Sequence, residues 1–212
     1  MRPFRTGQAL LPAAFWALFA LMIVLFDENP GWVDSTRAYL GAILPLLGGI
    51  LGAYAVLDDP ALEILFSTPV PAWRLLAGRL IPPLAVLAAA AVSFQLFLAA
   101  LGFDLDILGG VYSLQWTWLV PTLALTGWGA AIALAARHCA GGAMAVGAVW
   151  LIQLIARGWF LSQKNGGVFL LFLGIFNPED ARLTANRVFL SVSAVLLLTA
   201  AVALFKRQER FL

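Results

Sequence analysis

Leu80–Leu101 reads LIPPLAVLAAAAVSFQLFLAAL, twenty-two consecutive residues without a formal charge. At about 1.5 Å of rise per residue, a helix of this length covers the roughly 30 Å hydrocarbon core of a bilayer. Only helices and closed barrels satisfy every backbone group in lipid, and the run lacks the period-two alternation of a barrel strand. Similar tracts lie on either side of it. The chain of 212 residues is 62% hydrophobic and 11% charged, with a mean hydropathy of +0.93. A soluble domain carries about 25% charged residues. The expected fold is an all-α integral membrane protein with a single transmembrane domain, 1–212, free of linkers, low-complexity tracts and internal repeats.

Working outward, the apolar runs predict six spans at about 9–26, 38–57, 80–101, 116–136, 141–156 and 188–205. Pro45 is expected to kink the second span. DENPGWVDSTR, Asp27 to Arg37, reads as a polar turn, and GFDLDILGGVYSLQ, 102–115, as the loop after the third span. VFLLFLGIF, Val168 to Phe176, is strongly apolar but too short to cross. It is expected to be re-entrant, interfacial or packed on the bundle. Arg2 and Arg5 precede the first run, but no small-x-small cleavage site follows it, so the run is expected to be retained.

Lys and Arg orient the chain. With the N-terminus inside, Arg2, Arg5, Arg74, Arg79, Arg137, Lys206, Arg207 and Arg210 are cytoplasmic. Arg37, Arg157, Lys164, Arg182 and Arg187 fall outside, mostly in the long loop before the last span. This bias predicts that both termini are cytoplasmic. Trp32, Trp116, Trp118 and Trp159 fall near the outer interface, as an aromatic belt does. A net charge of +2, with no basic run carrying interleaved aromatics, points away from a nucleic-acid partner. Cys139 is the only cysteine, so no intrachain disulfide forms.

The segment 58–79 is polar and broken by prolines. Pro60 suits the first turn of a helix with Asp59 as its N-cap, and Leu62, Leu65 and Phe66 then share an apolar face. Pro69 and Pro71 interrupt that helix. A second helix is expected from Ala72, carrying Trp73 and Arg74 at the inner interface and running on into the third span. This helix–break–helix elbow is amphipathic on its first arm, and an interfacial anchor is one reading of it.

LEILFSTPVPAWRLLAGRL, Leu62 to Leu80, resembles the segment after the second span in permeases of type-2 ATP-binding-cassette (ABC) exporters. Leu62-Glu63, Leu65, Ser67-Thr68-Pro69-Val70, Trp73 and Gly78-Arg79 match that family's pattern in register. Asp58-Asp59-Pro60 replaces the basic-glycine pair often found ahead of it, and the chain is short for the family. The resemblance implies a coupling helix that docks on a separate ATPase subunit through Leu62, Glu63, Phe66, Ser67, Thr68 and Pro69. Trp73 and Arg74 would hold the second arm at the headgroups. It further implies a second permease copy or a paralogue, and location in a bacterial or archaeal cytoplasmic membrane among membrane lipid. The chain has no GxxxxGK[ST] loop, so it is expected to bind no cofactor itself. ATP and Mg would sit on the partner ATPase.

Within the spans, Trp150, Gln153 and Arg157 share one predicted face, and polar groups in lipid usually face a bundle or a cavity. They read as a wall of a substrate path, or as a headgroup arginine and a glutamine bonded to a neighbouring helix. Thr122 and Thr126 share a second face that is a further candidate for lining a substrate path, although bonds to their own i−4 carbonyls are the default. Gly48 and Gly52 form a GxxxG, which predicts close helix packing, within the chain or across a dimer seam. His138-Cys139 lacks the further ligands that a metal site needs. The spans hold no paired carboxylates at catalytic spacing, so no enzymatic activity is expected. A small membrane-embedded enzyme would need more converging ionisable groups than the spans supply. A secondary transporter would show paired broken helices in two related halves. A haem-exporter-type permease of the same superfamily is the alternative within the leading class.

Overall fold

A computed structural model describes residues 6–25, 31–57 and 70–206. The first arm of the elbow, with Leu62, Glu63, Phe66, Ser67, Thr68 and Pro69, lies outside the described residues, as do both chain ends. Among the described residues all regular structure is helical. In chain order the helices are α1 (Thr6–Leu25), α2 (Gly31–Leu57), α3 (Ala72–Ala100), α4 (Gly110–Ala136), α5 (Cys139–Ile155), α6 (Arg157–Ser162), α7 (Leu173–Phe176) and α8 (Leu183–Lys206). Four of them, α2, α3, α4 and α8, are long and apolar enough to cross a membrane, and α5 and the 10–25 part of α1 are shorter apolar helices.

Two expected loops are partly helical. Gly31–Arg37 belongs to α2, held there because Trp32 is buried and stacks on Phe103 with ring centroids 4.6 Å apart. Asp34 lies in the first turn, where its charge complements the helix dipole. Val111–Gln115 likewise belongs to α4, which starts at Gly110, where Gly109 and Gly110 turn the chain at φ 92° and 78°. A side chain is strained at such angles, so glycines suit this corner.

The prolines act unequally. Pro45 has no N–H, and its ring crowds the carbonyl four residues back. The helix relieves this with a π turn at Tyr39–Ile43, in which the Leu44 N–H donates to the Tyr39 carbonyl. Pro82, Pro83 and Pro121 sit inside α3 and α4, neither of which is interrupted.

The centre of the bundle is glycine-rich. A Cβ at Gly48 or Gly52 would press on Thr122 and Thr126, and one at Gly129 would overlap the Gly49 carbonyl. Gly142 of α5 similarly abuts Gly129. The GxxxG face is therefore consumed within the chain, bringing α2, α4 and α5 backbones together. Beside it, Trp16, Phe19, Tyr39, Phe94 and Phe97 form an aromatic cluster joining α1, α2 and α3.

Val168–Phe176 packs inside the bundle. Leu170, Leu171, Phe172, Leu173 and Ile175 are all buried, and Ile175 wedges against Gly41 in the π turn. The segment thus closes the end of the bundle where α2, α4 and α8 begin. At the opposite end, the Arg79 guanidinium donates to the Val56 carbonyl at 2.9 Å and lies 5.9 Å from the centre of the Phe205 ring.

Candidate functional site

Three regions carry the polar chemistry. The first is the start of α3. Pro71 precedes it in an extended conformation (φ −59°, ψ 136°), and the N–H groups of Arg74 and Leu75 donate back to its carbonyl. Trp73 is 54% exposed, and the Arg74 guanidinium lies 5.2 Å from the centre of its ring. Ala72, Leu75 and Leu76 on the opposite side of the same turn are buried. The described part of the elbow therefore shows an exposed aromatic–cation pair on a helix anchored by its other face.

The second region is the end closed by the 166–176 segment. Gln153 accepts from the Leu171 N–H at 2.6 Å and donates to the Phe169 carbonyl at 3.3 Å. The Trp150 indole donates to the Ala42 carbonyl at 2.8 Å, and its ring meets Phe172 edge-on. The two side chains hold loop and helix backbone. Arg157 does not share their helical face, because the chain breaks at Ala156 (φ −86°, ψ 9°) between α5 and α6. Its guanidinium lies 4.5 Å from the centre of the Phe176 ring instead. Thr122 and Thr126 are buried at the α2–α4 contact and donate to their i−4 carbonyls at 2.6 and 2.7 Å. Neither lines the cleft described below.

Several partners escape a reading of the sequence. Asn186, buried in α8, donates to the carbonyls of Gly167, Val168 and Leu170. Gln95 and Gln115 pair their amides across α3 and α4, with 2.6 Å for the shorter bond, and the Trp118 indole joins them at 2.8 Å. A lone glutamine in an apolar run signals such a bond without naming the partner. Outside the spans, Asp180 and Arg182 form a two-pronged ion pair with bonds of 2.9 and 2.7 Å. The Arg182 side chain, helped by its backbone N–H, holds the Asp180 carboxyl down to about 2 from an ordinary 3.8.

The third region is a cleft of about 190 Å³ between α4, α5 and α8, walled by Trp128, Val149, Phe169 and Phe189, with Gln153 and Ser193 as its polar members. Of the two faces proposed for a substrate path, only Gln153 reaches it. Among the described residues no group of three or more His, Cys, Asp or Glu converges. No protein-family model matches the chain, and no curated protein or solved structure matches it.

Proposed function

We propose that the chain is the membrane-spanning permease of a type-2 ABC exporter. On this reading it crosses the bilayer six times, with α1 and α5 completing the set, and keeps both termini in the cytoplasm. Two permeases, identical or paralogous, line the substrate path, and separate ATPase subunits supply ATP and Mg. The observation that supports this reading most is the segment from Leu62 to Leu80. Its resemblance to the family's coupling segment requires a helix to restart behind Pro69 and Pro71 and to continue into a span. α3 starts at Ala72, presents Trp73 and Arg74, and runs to Ala100.

The test is purification of the tagged chain from its native membrane with its ATPase. Co-purification of a subunit bearing a phosphate loop, with ATP hydrolysis in the complex, is the expected result. Glu63→Arg should weaken that association more than tenfold, since breaking a charged contact at an interface costs about 2–5 kcal/mol. Pro69→Ala combined with Pro71→Ala should instead merge the two arms, leaving association nearly intact and uncoupling hydrolysis from transport. Transport by an isolated chain without nucleotide would overturn the reading.

A further inference from the structure

Arg187 lies in the second turn of α8, beside a slot of about 10 Å³ lined by Trp116, Thr117, Gly174 and Asn186. Its Nη2 donates to the Ser113 hydroxyl at 2.9 Å and to the Ser113 carbonyl at 3.3 Å. Its Nε is buried without a hydrogen-bond partner. No carboxylate among the described residues pairs with it, and the acid closest in sequence, Asp180, is engaged by Arg182. The Asn186 amide beside it is spent on loop carbonyls. A partly buried cation on a membrane helix is costly unless an anion neutralises it.

Farther along α8 lies the 190 Å³ cleft, and Leu171 and Leu190 line both it and the slot. Its walls are mainly aromatic and aliphatic, and Trp128, Phe169 and Phe189 remain 37–48% exposed at its mouth. An apolar cavity of about 150 Å³ accepts a benzene molecule, so this one has room for a stretch of hydrocarbon chain.

We propose that this crevice binds an anionic lipid of the surrounding bilayer, with its phosphate at Arg187 and one hydrocarbon chain in the cleft. Charge complementarity selects the head, and the apolar wall selects the tail. The slot has room for about one water-sized group, so a single headgroup oxygen enters it.

The test uses the full chain, delipidated in a neutral detergent and titrated with phosphatidylglycerol or with diacylglycerol of the same acyl chains, which has no phosphate. Native mass spectrometry counts the bound lipid. Phosphatidylglycerol should bind about tenfold more tightly, the scale of one charge-assisted hydrogen bond. Arg187→Gln should abolish that preference without changing diacylglycerol binding, and Arg187→Lys should retain most of it. Ser193→Trp should weaken both lipids by filling the cleft. Inorganic phosphate in millimolar excess should not displace phosphatidylglycerol. Equal binding of the two lipids by the wild-type chain would overturn the proposal, as would an unchanged preference in Arg187→Gln. Full displacement by inorganic phosphate would overturn it too, because the site would then take a free anion and need no chain.

Discussion

Gln153 and Asn186 show how much two amides hold together when their partners are backbone groups of one short segment. Gln153 satisfies the Leu171 N–H and the Phe169 carbonyl, while Asn186 satisfies three carbonyls of the same segment. Leaving such a group unpaired costs about 1–3 kcal/mol. Gln153→Leu should therefore lower the thermal unfolding midpoint in detergent and open 166–176 to proteolysis, with the helix content by circular dichroism unchanged. An unaltered midpoint would mean that the segment is held by its buried apolar side chains alone. At Asp180 the sign of the pH effect follows from the lowered carboxyl pKa. The Arg182 partnership stabilises the fold fully above the ordinary 3.8 and is lost as pH falls towards about 2. The wild-type chain and Asp180→Asn should differ in unfolding midpoint at pH 6 and converge as the pH nears 2. A constant difference across that window would show that the charge is not what stabilises the loop.

Among whole elements, the closest approach is that of α2 to α4, and it depends on residues that have no side chain. Gly129→Ala places a methyl on the Gly49 carbonyl, and two packed helices must separate to admit it. Overpacking of this kind costs about 1–3 kcal/mol. Gly78, in contrast, lies in α3 with open space around it, and a methyl added there would meet nothing within 4 Å. Gly78→Ala should raise stability by about 0.5–1 kcal/mol, because alanine loses less backbone entropy in a helix. Guanidinium or thermal unfolding of both variants in the same micelle gives the comparison, and equal effects would refute the assignment of close packing to one face. The helices themselves were legible in the sequence because long apolar runs have little alternative in lipid. Their ends were less so. Gly31–Arg37 and Val111–Gln115 are too polar to read as span, yet they are helical, with Trp32 stacked on Phe103 and Ser113 accepting from Arg187.

For the molecule as a whole, the prediction concerns sides. The six-span reading puts Asp104 and Asn165 on one face of the membrane, and Arg137 and Gln208 on the other. With Cys139 replaced by alanine, single cysteines at these positions should divide into two classes towards an impermeant thiol reagent in sealed vesicles. Asn165 labelling together with Arg137 would break the proposed topology.

By itself the sequence determined the helical membrane class, the placement of the apolar runs and the break before Ala72. Each follows from free energies summed along one local stretch: transfer of apolar residues, backbone satisfaction and the missing N–H of proline. Only the tertiary structure decided where the polar side chains are used. Trp150 finds the Ala42 carbonyl 108 residues away, and Arg187 finds Ser113 at a separation of 74. It also decided that Val168–Phe176 closes the bundle from within, and that Gly48 and Gly52 face Thr122 and Thr126 of the same chain. The reason is physical. A buried donor, or a glycine open to close approach, specifies that a partner is needed, and the packing of distant helices selects which group that partner is.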